Sequence, residues 1–108
     1  MKKLTKLDDK IEVAEELSED QKKGLWSYRR MIQIVLNNCT PRNNEESMDI
    51  HQILLKLRMK EPDIEFEDAQ FKLIWEKFDA NGDGKNFQRF HGPTVFYLKQ
   101  CEKALEVK

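Results

Sequence analysis

Apolar residues fall at helical intervals along most of this chain. Leu4, Leu7, Ile11, Ala14 and Leu17 recur in steps of three and four, which predicts an amphipathic helix over residues 1–17 with lysines and acids outside. Ser18 follows as an N-cap, Gln21 completes a capping box, and Glu19 and Asp20 suit the positive start of a helix. This second helix carries Leu25, Tyr28, Ile32 and Val35 on one face and is expected to run to about Leu36, where residues 37–41 break it. Ile50, Ile53, Leu54 and Leu57 mark a third, which stops before Pro62 because proline disfavours helical geometry in the residue ahead of it.

Residues 63–67 read as a connector. A fourth stripe, Phe71, Ile74, Trp75 and Phe78, covers about 68–78 and ends at the Asn81-Gly82 and Asp83-Gly84 turn signals. Gly92-Pro93 sets the start of a fifth helix, with Val95, Leu98, Cys101, Glu102 and Leu105 along its neighbouring faces. No stretch reads as a long strand. The order predicts an all-α fold of two helix-loop-helix units, about 18–61 and 66–107, preceded by an additional N-terminal helix or arm at 1–17.

Composition narrows the class. The 108 residues suffice for one core without disulfide or metal staples, and acids and bases nearly cancel at a net charge of −1, so the chain does not advertise a polyanionic partner such as nucleic acid. No run approaches membrane-spanning length, and the basic N-terminus has no apolar segment behind it. Two cysteines without a framework fit a reducing compartment, so an intracellular, cytoplasmic setting is expected.

The chemistry concentrates in F-D-A-N-G-D-G-K-N-F-Q-R-F, residues 78–90. Asp79, Asn81 and Asp83 alternate along a tight turn, Gly84 permits the bend, and the Lys85 carbonyl can add a further oxygen, an arrangement suited to a hard cation such as calcium. The second half of the pattern is missing. The twelfth place, which needs a bidentate Glu, holds Phe90, or Arg89 if one residue has been lost, and no acid stands between Asp83 and Glu102. Calcium binding is therefore expected to be weak or absent. The competing reading makes the three residues ordinary turn formers.

From Ser18 onward the chain resembles a degenerate EF-hand pair of the calmodulin type. Leu17-Ser18-Glu19-Asp20-Gln21 looks like the start of a first unit, and Glu67-Asp68-Ala69-Gln70-Phe71 with Ile74-Trp75-Glu76-Lys77-Phe78-Asp79 like the start of a second. The resemblance implies a metal role for Asp79, Asn81, Asp83 and the Lys85 carbonyl only. Residues 37–47, in place of a first calcium loop, contain Pro41 and Arg42, lack alternating acids and are assigned none. The segment 71–79 is also similar to EF-hands of large multi-repeat proteins, some of cilia and flagella, which implies a ciliary or cytoskeletal setting.

Other chemistries have less behind them. Cys39, His51, His91 and Cys101 lack the close pairs that pre-form a zinc site, and no nucleophile elbow, phosphate loop or triad suggests an enzyme. Lys22, Lys23, Arg29 and Arg30 surround Trp26 and offer an electrostatic adaptor for an anionic surface. Most of the aromatics are expected in the core, with Trp26 and Phe96 at a partner-binding rim. The sequence thus points to a non-enzymatic interaction module that takes a protein or an amphipathic helical peptide, with a calcium sensor and an electrostatic adaptor as alternatives.

Overall fold

A computed structural model describes residues 2–14, 16–80 and 88–106. Five helices and two short strands follow in the order β1 (Lys2–Leu4), α1 (Glu19–Lys23), α2 (Tyr28–Asn38), α3 (Asn44–Leu57), β2 (Ile64–Phe66), α4 (Asp68–Ala80) and α5 (Gln88–Glu106). The fold is mostly helical, as the periodicity predicts. Helices α2, α3, α4 and α5 pack on one another around Ile32, Val35, Ile53, Leu57, Ile74, Phe78 and Leu98, all buried. Burial of side chains like these, each contributing on the order of 2 kcal/mol, is the main force holding the helices together.

The N-terminal segment corrects the expectation of a helix at 1–17. Residues 2–4 form a strand antiparallel to β2, with Leu4 opposite Ile64 and Lys3 opposite Glu65, and helix begins only at Glu19. The helical spacing of Leu4, Leu7 and Ile11 is met by another route. A turn closed by the Asp9 N–H on the Lys6 carbonyl, with Lys6 at φ 55, folds the chain so that all three reach zero exposure. Ala14, assigned to the same stripe, is exposed.

What holds this arm out of a helix is the start of α2. The first N–H groups of a helix have no internal partner. Here Tyr28 N–H donates to the Asp9 carbonyl, Arg29 N–H to the Leu7 carbonyl and Arg30 N–H to Ser27 Oγ. The arm therefore spends its carbonyls on another element. The expected helix from 18 to 36 is split for the same reason. Ser18 does cap α1 through a complete capping box, but the chain leaves helical geometry after Gly24 and Ser27 starts α2 anew.

Two further boundaries move. The connector at 63–67 contains β2, whose Ile64 and Phe66 face the core while Glu65 faces out. Helix α5 begins at Gln88, five residues before Pro93, so the proline lies inside the helix and withholds one backbone donor. Thr94, fully buried, donates its hydroxyl to the Phe90 carbonyl at 2.7 Å. Leu98 and Cys101 are buried as their spacing predicts, and the side chain of Leu105 lies outside the described residues.

Candidate functional site

Of the residues expected to hold a cation, Asp79 is exposed near the end of α4, and Asn81, Asp83 and Lys85 lie outside the described residues, as does Phe87. Phe90, which occupies the place of the closing carboxylate, is half-buried and stacks on Trp26 with ring centroids 4.4 Å apart. Among the described residues no group of three or more His, Cys, Asp or Glu side chains is arranged to hold a metal ion. Cys101 is buried and Cys39 half-buried beyond the end of α2, with its thiol pushed up by burial.

The connection between α2 and α3 holds a cation of the chain's own. Asn43 caps α3 by accepting the Glu46 N–H at 2.8 Å, which turns the Glu46 side chain inward to 6% exposure. There it meets the Lys77 ammonium from α4, also 6% exposed, which donates in addition to the Thr40 carbonyl at 3.3 Å. Arg42 reaches the same carboxylate at 2.7 Å and Glu76 at 3.0 Å. Hydrogen bonds from Lys77 first, and then Arg42, hold the Glu46 carboxyl down to about 2. Oxygens from Thr40 and from Glu46 at the start of α3 are thus gathered around an ammonium group supplied by α4.

The basic cluster around Trp26 is divided. Arg29 turns inward and donates to the carbonyls of Leu57, Met59 and Glu61 and to the Asp8 carboxylate. It satisfies the carbonyl end of α3 rather than an external anion. Arg30 lies over the Trp26 ring at 5.7 Å, and Lys22 sits beside Glu19.

Phe71 and Phe78 are core, Tyr28 and Trp75 pack against it half-buried, and Phe96 is 63% exposed. Trp26 and Phe96 do not share a face. Phe90, on which Trp26 stacks, and Phe96 are six positions apart on α5, about 120° round the helix from each other. Tyr28 stacks on Tyr97 at 4.0 Å, and the Tyr97 hydroxyl donates to the Thr5 carbonyl at 2.6 Å, its phenol pushed up by burial.

An apolar groove lies where the sequence offered no motif. It measures about 710 Å³ and runs between the arm and α1, with Ile11, Val13, Leu17 and Leu25 as its apolar lining and Lys10, Glu12, Glu16 and Lys22 around it. The backbone of Val13, Ala14, Glu16 and Leu17 makes no hydrogen bond to any described residue. A periodicity reading misses this site because it places Leu17 and Leu25 in separate helical stripes facing a core. The break at Gly24 and the Ser27 cap were the signals available. No helix of the described residues is long and apolar enough to cross a membrane. No family model matches the chain, and neither the curated proteins nor the solved structures provide a match.

Proposed function

We propose that this chain is a non-enzymatic, EF-hand-like protein-interaction module whose groove between the arm and α1 takes an amphipathic peptide of a partner protein. The observation that carries this reading is the coincidence of an aliphatic floor with backbone at Val13, Ala14, Glu16 and Leu17 that pairs with none of the described residues. An amphipathic peptide supplies apolar side chains for the floor, and its charged positions meet a rim of both signs, Lys10 and Lys22 with Glu12 and Glu16. The inward turn of Arg29 removes the strongest member of the electrostatic alternative.

The EF-hand element of the proposal rests on the sequence pattern at 67–84 and on the contacts within and between the pairs α2–α3 and α4–α5. With Phe90 engaged by Trp26 and Lys77 bound to Glu46, the module holds its shape through internal contacts, without a metal-driven opening.

Amide spectra of the labelled chain titrated with a synthetic amphipathic peptide of mixed Lys and Glu composition test the groove. Shifts confined to residues 10–25, reduced at least about tenfold in affinity by Leu25→Asp and persisting in added salt, support it. Shifts elsewhere, or binding that salt abolishes, overturn it. In a parallel calcium titration we expect no binding tighter than about 1 mM. Micromolar binding that Asp79→Ala removes would instead establish the calcium sensor.

A further inference from the structure

Helix α3 buries Glu46, Ile50, Ile53 and Leu57 and presents a second stripe on its opposite side. Met48 is 63% exposed, Leu55 47% and Met59, just beyond the cap, 47%, with exposed Gln52 between them. Spacings of four, three and four residues keep the four side chains within a narrow band along about 16 Å of helix. Apolar side chains scattered singly over a surface need no explanation, but three aligned on one face form a seam.

Charge along this helix is polarised. Glu45 and Asp49 stand exposed at its N-terminal end and Arg58 and Lys60 at its C-terminal end, and none of the four has an ion-pair partner among the described residues. A seam of this kind is complementary to itself when turned end for end. Across a two-fold axis near Gln52 and Ile53, the acidic end of one copy faces the basic end of the other, whereas a parallel arrangement sets like charges together.

We infer that α3 is a self-association face on which a second copy of this chain docks antiparallel, Met48 of each copy lying over Met59 of the other. Beside Met59 lies a groove of about 410 Å³ whose lining includes Ile64 and Lys56, a volume larger than a methionine side chain. Methionine is suited to this because its unbranched thioether adapts to irregular gaps. The inference is independent of the peptide groove, which lies on the arm and α1. A seam of three apolar side chains is small beside standard stable interfaces, so the dimer is weak and forms toward the upper end of the concentration range.

Sedimentation of the full chain from micromolar to about 1 mM reads this directly. The wild type is expected to pass from monomer to dimer, and Leu55→Glu to weaken the dimer at least about tenfold while leaving the thermal midpoint of the dilute monomer unchanged. Two charge-reversed chains, Glu45→Lys with Asp49→Lys and Arg58→Glu with Lys60→Glu, are each expected to remain monomeric and to pair when mixed. A wild type monomeric throughout, or a dimer indifferent to both Leu55→Glu and the reversals, overturns the inference.

Discussion

Single residues of this chain do work that their types disguise. Arg29 reads as surface charge, yet its guanidinium closes the carbonyl end of α3 and grips Asp8 in the arm. Hydrogen bonds to a charged donor are each worth about 1.5–3 kcal/mol; in Arg29→Met water replaces the exposed bonds to Met59 and Glu61 while the part-buried Leu57 carbonyl loses its donor, so a loss of about 2–4 kcal/mol is expected from urea unfolding. Glu46 carries a pH signature. Its folded carboxyl titrates near 2 against an ordinary value of 4.5, so its contribution is complete above that ordinary range and is lost as pH falls from about 4.5 toward 2. Melting curves across this window should show Glu46→Gln to be less stable than the wild type at neutral pH and less sensitive to acid. The sequence reading passed over Glu46 and Lys77, although a signal for both was there. Each extends an apolar stripe, Glu46 ahead of Ile50, Ile53 and Leu57 and Lys77 after Ile74, and two opposite charges at core positions imply that they meet.

Elements were legible where one face of a helix settles the matter. Helix α4 starts at Asp68 as its stripe predicts, and α3 keeps Ile50 and Ile53 buried, because a helix of three or four turns hides one side whatever its neighbours do. Elements defined by their partners were not. The strand at 2–4 has no strand-like alternation and forms because residues 64–66 lie ready to pair with it, and α5 runs through the Gly92-Pro93 signal because a proline near the start of a long helix costs a single hydrogen bond. Caps separate the two consequences of the split at Gly24. Ser27→Ala should cost about 1 kcal/mol of global stability, since α2 buries Met31, Ile32, Val35 and Leu36. Ser18→Ala acts on α1, which buries nothing, so its effect should be seen in local amide exchange with global unfolding nearly unchanged. The candidate site divides likewise: the Asp79 pattern is plain in the sequence, while the groove is lined jointly by the arm, Lys22 of α1 and Leu25, segments brought together only in the folded chain.

For the molecule as a whole, the arm is the closure. It pairs with β2, lends carbonyls to α2 and accepts the Tyr97 hydroxyl from α5, so one irregular segment joins elements drawn from the full length of the chain. Leu4 is its anchor, with zero exposure between the strands and the helices. Leu4→Ala should cost about 2–4 kcal/mol, measured by urea unfolding, a core-sized penalty for a residue in a three-residue strand. This placement also orders events at the ribosome. Leu4 emerges ahead of Ile64 and finds no seat until that residue has followed, roughly sixty residues and some 3–12 s later at ordinary translation speed. Through that interval its greasy surface is open to any passing chain, and the nascent protein has a period of vulnerability that the finished molecule conceals.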